Sequence, residues 1–264
     1  MTRGSRWSRE ELIIAMNLYC KLPFGQLHRG TAIIIQVAQK LGRTPSSLAM
    51  KLGNFASLDP TLQARGIKGL QGASQADREV WKEFHKNWET LGYESEEKLQ
   101  LLLDHSPLEI EASQSKIASK RVGATPMPNL TESEATVRVR IGQNFFRQII
   151  LANYDGRCCI TENPIPELLV ASHILPWSRY PEHRLNPHNG ICLTRTQDAA
   201  FDRGIITIDE NYQVVLSSYI KDFLPEKTLE ENFVNYCGVQ IKLPEKFQPD
   251  LDFLRYHREE IFIG

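Results

Sequence analysis

The sequence lacks several features that would assign it to a class of protein at once. Its 264 residues contain no apolar run near the ~20 residues that cross a bilayer, no C-x-x-C pair and no internal repeat. It also lacks the P-loop, the nucleophile elbow and the paired His-x-Glu and Pro-Cys-x-x-Cys motifs of zinc base deaminases. These absences argue against a membrane protein, a zinc ribbon, a solenoid and those enzyme classes. We expect a cytoplasmic protein without membrane contact.

Cysteine is scarce, and its number is odd. The chain has five cysteines, while 41% of its residues are hydrophobic and 24% are charged, which is ordinary for a soluble globular protein. A chain of this length buries a sufficient core without disulfides, so we expect reduced thiols. The length allows one large domain or two modest ones.

Charge is distributed unevenly along the chain. The formal net charge is −1, yet residues 1–70 carry ten Lys or Arg against three acidic residues, an excess of +7. Such an excess at one end of a neutral chain favours a polyanionic partner such as DNA, because phosphate neutralisation supplies most nonspecific affinity. The alternative is an ordinary solvated helical surface.

The basic region contains a pattern typical of a helix-turn-helix. Ser8 and Glu11 form a predicted capping box for a first helix, and further helices are predicted over 31–41 and 45–55 with a tight turn between them. The last of these would present a polar face to double-stranded DNA. The candidate DNA-binding residues on and before it are Arg43, Ser46, Lys51 and Asn54. A plain helical bundle with a short turn is the alternative.

Composition divides the chain into three parts. A helix rich in aromatic residues is predicted over 76–91, and Ser, Lys, Thr, Pro and Gly dominate residues 112–135. We therefore expect a helical domain over 1–93, a connecting segment over 94–137 and a second domain over 138–264. The second domain is predicted to contain a helix that ends near Asn153, buried strands over 168–174 and 190–193, and a helix that begins near Asp198. The predicted fold class is α+β.

The loop between the two predicted strands is dense in functional groups. It begins with Ala-Ser-His-Ile-Leu-Pro-Trp at 171–177 and ends with Arg-Leu-Asn-Pro-His-Asn-Gly at 184–190. Asp-Ala-Ala-Phe-Asp follows at 198–202, and a spacing of four places its two carboxylates on one helix face. These three motifs, in this order, resemble the HNH nuclease family, specifically a bacterial restriction endonuclease subgroup. The resemblance covers about 138–264, and the front half also looks like the region that precedes this domain in such proteins.

The resemblance implies a ββα-metal nuclease domain that hydrolyses phosphodiester bonds in double-stranded DNA. His173 would be the general base, since a histidine titrates near neutrality. One Mg²⁺ or Mn²⁺ ion would stabilise charge on the phosphate. Asn189 maps onto the asparagine of the motif, where its amide can either orient the loop or bind the metal. The implied role is restriction of foreign or modified DNA, and double-strand cleavage by single-site domains suggests a homodimer.

The sequence departs from the family pattern at the metal site. Gln197 stands where this subgroup often has histidine, and Ser172 stands where many members have an acidic metal ligand. Asp198 and Asp202 are the metal-ligand candidates, because carboxylates suit Mg²⁺ better than imidazoles do, and Gln197 is a further candidate residue of the catalytic site. Arg184 can contact phosphate or hold the loop. The alternative function is a catalytically weakened, DNA-binding or regulatory protein that retains an HNH-like domain.

One further nuclease pattern is present but weak. Asp77 and Glu96-x-Lys98 match the carboxylates and lysine of another restriction nuclease type. The segment is predicted to be helical rather than strand-forming, which argues against this alternative.

Overall fold

The structure is a computed structural model that describes residues 6–67, 72–103 and 134–264, without the side chains of 134–138. The chain divides into two units. Unit 1 lies within Met1–Cys20, Gly25–Leu58 and Lys68–Phe145, and unit 2 within Lys21–Phe24, Asp59–Ile67 and Phe146–Gly264. Most of the predicted connecting segment, 104–133, lies outside the described residues.

The described helices and strands are α1 Arg9–Lys21, α2 Ala32–Lys40, α3 Pro45–Ala56, α4 Pro60–Ala64, α5 Gln75–Lys86, α6 Trp88–Leu102, α7 Glu134–Asn153, β1 Leu169–His173, β2 Gly190–Thr194, α8 Arg195–Asp202, β3 Ile206–Ile208, β4 Val214–Leu216, α9 Lys227–Asn232 and α10 Leu251–Glu260. The helices together with two small antiparallel sheets confirm the α+β class. No helix in the described ranges has the length and apolar character required to span a membrane.

Polar caps determine where the helices of unit 1 begin. The Ser8 and Glu11 box precedes α1 as predicted: Glu11 Oε2 accepts from the Ser8 backbone N–H at 2.8 Å, and Ser8 Oγ accepts from the Glu11 N–H at 3.2 Å. Thr44 caps α3 by accepting from the Ser47 N–H at 3.1 Å, with Pro45 at the first helical position. The turn that separates α2 and α3 lies where the sequence predicted it.

The predicted helix over 76–91 was wrong in one respect, because the structure has two helices there. Asn87 leaves the helical conformation, with φ −150° and ψ 69°, and its side chain accepts from the Thr90 N–H to start α6. The aromatic side chains nevertheless pack as predicted: Phe84 and Trp88 are buried and meet edge to face at 5.7 Å. Helix α6 then continues to Leu102, into the stretch expected to be a connecting segment.

Unit 2 is built on a hairpin followed directly by a helix. Strands β1 and β2 pair antiparallel in a register that runs from Leu169 opposite Thr194 to His173 opposite Gly190. Helix α8 begins at the residue after β2, which gives the ββα order that the resemblance implied. Buried apolar residues of both strands, such as Leu169 of β1 and Ile191 of β2, attach the hairpin to the core.

The rest of unit 2 encloses this core. Strands β3 and β4 form the second hairpin, and α10 packs against β3. His257 of α10 is 1% exposed, its Nδ1 lies 2.8 Å from Thr207 Oγ1 and its Nε2 lies 3.0 Å from the Phe201 carbonyl oxygen. This histidine therefore has a packing role. All five cysteines are free thiols, as expected.

Candidate active site

The hairpin fixes the position of His173 at the end of β1. Its imidazole stacks on the Phe146 ring of α7, with ring centroids 3.9 Å apart and an interplanar angle of 12°. The Trp177 ring meets the imidazole edge to face, with centroids 5.2 Å apart. Two rings thus hold the plane of the imidazole while the side chain stays only partly buried.

One nitrogen of this imidazole is committed to a structural hydrogen bond. His173 Nε2 lies 2.9 Å from the Arg184 carbonyl oxygen, and a carbonyl can only accept, so Nε2 carries the proton. In the neutral ring the lone pair is then on Nδ1. Nδ1 has no hydrogen-bond partner among the described residues, and it is not one of the buried polar atoms that lack a partner. It is a free acceptor that is not fully buried.

The surroundings keep this imidazole neutral. Burial lowers the pKa of His173 to about 4, the hydrogen bond to the Arg184 carbonyl opposes that shift, and the Arg184 charge adds to it. At pH 7 the ring is therefore unprotonated on Nδ1, as a general base must be before it accepts a proton. The expectation that His173 titrates near neutrality was wrong, because burial disfavours its charged form.

Asn189 ties the two ends of the loop together. Its Oδ1 accepts from the Leu175 N–H at 2.7 Å, and its Nδ2 donates to the His183 carbonyl at 3.1 Å. The side chain is 1% exposed, and its backbone carbonyl also accepts from the Ile174 N–H at 3.0 Å. Both ends of the amide are therefore occupied by backbone groups of the loop that follows His173, the arrangement of a loop-orienting residue.

Arg184 also holds the loop, but only with part of its side chain. Its Nε donates to the Trp177 carbonyl at 2.9 Å, and its guanidinium carbon lies 5.1 Å from the centroid of the Trp177 ring. The two terminal amino groups have no partner among the described residues. They are available for an anion.

Helix α8 carries the three remaining candidates. Gln197 is 1% exposed and held by structural bonds, because its Oε1 accepts from the Thr194 hydroxyl and its Nε2 donates to the Asn232 carbonyl at 3.1 Å. Asp198 is partly exposed and Asp202 is exposed. Desolvation and the neighbouring charge of Asp198 raise the pKa of Asp202, so the two carboxylates repel each other.

The side chains on α8 provide only some of the ligands that a divalent cation requires. The described residues contain no group of three or more His, Cys, Asp or Glu side chains arranged to hold a metal. Mg²⁺, however, is commonly bound by one or two carboxylates together with water and substrate phosphate. The mutually repelling pair Asp198 and Asp202 fits such an ion. Ser172, next to His173, has a buried hydroxyl without a partner among the described residues.

The candidate DNA-binding residues of unit 1 have partners within the unit. Arg43 forms a bidentate pair with Glu11, both N···O distances being 2.8 Å. Lys51 Nζ lies 2.8 Å from Asp77 Oδ1, and Asn54 Nδ2 donates to Asp77 Oδ2 at 3.0 Å. Burial opposes ionisation of Asp77, but Lys51 and its other donors hold its pKa below the ordinary value. The fourth candidate, Ser46, is exposed.

Comparison with protein families identifies the hairpin and helix. Residues 158–209 match a family model described as HNH endonuclease, a span that contains β1, β2, α8 and β3. The chain carries an HNH endonuclease domain. A search of curated proteins found no match. The HNH domain indicates nuclease activity on DNA, and its position in unit 2 agrees with the sequence-based resemblance.

Two residues that support the HNH site were missed by sequence analysis. Phe146 was assigned only to an amphipathic helix, and nothing in helical periodicity shows that it would stack on His173. Gly190 was predicted to end the second motif and to begin a strand, but not to lie opposite His173. Its position opposite His173 follows from the strand register, which the flanking motifs could have revealed. Asp77, Glu96 and Lys98 lie on α5 and α6 rather than on strands.

Proposed function

We propose that the protein is a metal-dependent endonuclease that cleaves double-stranded DNA, with His173 as the general base. The observation that carries the proposal is the imidazole itself: it is neutral, held by Phe146 and Trp177, and its Nδ1 is left without a partner among the described residues. The HNH family match supports the reaction class.

The chain's own residues account for the proton transfer. Nδ1 of His173 accepts a proton from a water molecule as the water oxygen attacks phosphorus, and the bond from phosphorus to the 3′ oxygen breaks. The imidazolium that forms is stabilised by the hydrogen bond from Nε2 to the Arg184 carbonyl. Asn189 keeps the loop, and hence that carbonyl, in place. The terminal amino groups of Arg184 bind a nonbridging phosphate oxygen.

Asp198 and Asp202 are the residues that would hold Mg²⁺ or Mn²⁺. When bound, the ion would stabilise the charge that develops on the phosphate and on the departing oxygen. Gln197 acts from its buried position by fixing the start of α8, and Asn189 contributes through the loop rather than as a ligand, since both of its amide atoms are engaged.

Supercoiled plasmid incubated with Mg²⁺ or Mn²⁺ tests the proposal. We expect nicked or linear product with the wild-type protein, and none above background with His173→Ala or in EDTA. His183→Gln in the same loop is the matched control and should retain cutting. Equal cutting by His173→Ala, or in EDTA, would refute the proposal.

The biological role that we propose is restriction of foreign or modified DNA in the cytoplasm, with a homodimer bound to both strands. Plasmids with and without modified bases, in the same assay, test the first part. Because Arg43, Lys51 and Asn54 are paired inside unit 1, DNA contact through them would have to compete with Glu11 and Asp77.

A catalytically weakened DNA-binding or regulatory protein is the second candidate function. It is favoured by the absence of a three-ligand cluster from the described residues and by Gln197 and Ser172 in place of typical ligands. Salt-sensitive DNA binding without cleavage under any divalent ion would support it. Mg²⁺ binding that depends on Asp198 or Asp202 would count against it.

A further inference from the structure

Unit 1 contains a cleft that the nuclease chemistry does not use. It has a volume of about 690 Å³, within the ~300–1,000 Å³ typical of small-molecule sites. It lies between the segment before α1 and the first turns of α3 and α5. Its lining residues are Arg6, Trp7, Arg43, Ser47, Lys51, Ser74, Gln75, Ala76 and Glu79.

Two walls of this cleft are held rigidly by ion pairs. The Arg43 and Lys51 side chains are only 10% and 14% exposed, and they are fixed by Glu11 and Asp77 respectively. Their charges are largely neutralised by these partners, so they shape the cleft rather than attract a polyanion. Such fixed side chains reduce the ordering cost of binding a ligand.

An aromatic surface lies beside these cations. The Arg43 guanidinium carbon is 4.9 Å from the centroid of the partly exposed Trp7 ring, and Lys51 Nζ is 5.8 Å from it. Two cations already near this ring disfavour a third, which argues against a cationic ligand such as a quaternary ammonium. A planar, neutral heterocycle can instead stack on the partly exposed indole.

The rim and edges add the remaining recognition elements. Arg6 is exposed, and its guanidinium has no ion pair among the described residues, so it is free to bind an anion. Ser47, Ser74 and Gln75 place hydroxyl and amide groups along the cleft. A flat heterocycle with polar edges and one attached anionic group matches this combination.

We propose that the cleft binds a single nucleotide, with its base stacked against Trp7 and its phosphate at Arg6. The shared chemistry is a nucleoside monophosphate, which could be a free nucleotide or one turned out of a DNA strand. The site lies wholly within unit 1 and uses no residue of the HNH domain. Its existence therefore does not depend on the proposed nuclease mechanism.

Calorimetric titration of the full chain with each of the four deoxynucleoside monophosphates tests the proposal. Anisotropy of labelled duplexes, either perfectly paired or with one unpaired nucleotide, distinguishes the two sources. If only the monophosphates bind, the ligand is a free nucleotide. If the duplex with one unpaired nucleotide binds more tightly than the perfectly paired duplex, the ligand is a nucleotide turned out of a DNA strand. Both outcomes support the site. No saturable binding of any of these probes would overturn it.

Three variants localise the binding. Trp7→Leu should weaken it about 5- to 150-fold, the range for loss of one base-stacking ring. Arg6→Gln should weaken it about fivefold, as for an exposed ion pair. Ala76→Phe should block the cleft, and circular dichroism of each variant verifies folding. Arg78→Gln, an exposed arginine of α5 outside the cleft, is the matched control and should bind like the wild type.

Full-strength binding by both Arg6→Gln and Ala76→Phe would overturn the proposal even if Trp7→Leu failed to fold. Plasmid cleavage measured on the same preparations separates the two proposals. Absent nucleotide binding with retained cleavage refutes only the cleft. Absent cleavage with retained, variant-sensitive nucleotide binding refutes only the nuclease.

Discussion

Gly190→Ala is expected to damage both the stability of unit 2 and the candidate active site. A Cβ atom at this position would overlap Ile150 Cδ1 and would lie 2.6 Å from Phe146 Cζ. Both neighbours are about 1% exposed, so neither has free space to move into. Overpacking of this kind costs about 1–3 kcal/mol.

The same steric overlap is expected to displace His173 indirectly. Phe146 stacks on the imidazole at 3.9 Å, and displacing its ring therefore moves the proposed base. A misplacement of ~1 Å at a catalytic group reduces the rate about 100-fold. We expect Gly190→Ala to lower the denaturation midpoint and to reduce the plasmid cleavage rate together.

A rescue experiment distinguishes the predicted steric overlap from a general loss of stability caused by the substitution. Ile150→Val removes Cδ1, the atom that a new Cβ would meet most closely, and the double variant should recover part of the lost stability. We expect a favourable coupling of about 0.5–3 kcal/mol in the double-mutant cycle. Gly25→Ala is the control, because a Cβ there meets nothing within 4 Å. A Gly190→Ala protein with wild-type cleavage and a stability change under ~0.5 kcal/mol would refute the reasoning.

Three further predictions concern buried charge and the metal. Burial lowers the pKa of His257 to about 4, so its contribution is intact above pH ~6.5 and is lost as pH falls toward 4. Because His173 has a similarly lowered pKa, urea titrations at pH 7 and 5 should show a stability loss that is about 2 kcal/mol smaller in His257→Gln than in the wild type, and equal losses would contradict this assignment. Asp198→Asn with Asp202→Asn should abolish Mg²⁺ binding measured by calorimetry, with stability retained; unchanged binding would exclude this pair as ligands. Lys51→Met leaves the buried Asp77 carboxylate without its cation, and we expect it to lower the free energy of unfolding, measured by thermal denaturation, by about 3–5 kcal/mol. A decrease of less than ~1 kcal/mol would contradict a stabilising role of this ion pair.

Local sequence signals predicted the framework of the candidate site. The apolar runs that became β1 and β2 are bounded by Pro, Asn and Gly, and the structure places the strands at 169–173 and 190–194. The break at Asn87 was not predictable from periodicity, because Trp81, Phe84 and Trp88 keep a helical spacing across it. The polar cap is the only local signal of the break.

Contacts between side chains that are distant in sequence could not be predicted from the sequence. The excess of positive charge in residues 1–70 suggested cations free for DNA, but a charge count does not show pairing. Arg43 is neutralised by Glu11, 32 residues away, and Lys51 by Asp77, 26 residues away. The sequence left open whether Asn189 orients the loop or binds the metal. The answer depends on the fold, because both backbone partners of its side chain belong to a loop whose path no motif specifies.

Imidazole rescue of a His173→Gly protein tests the central claim most directly. With the side chain removed, plasmid cleavage should fall to background, and added imidazole should restore it in proportion to the concentration of the neutral form. Asn189→Ala, which disturbs the loop but leaves the base, should gain nothing from imidazole. Cleavage by His173→Gly at the wild-type rate without imidazole, or an equal gain in both variants, would contradict the account.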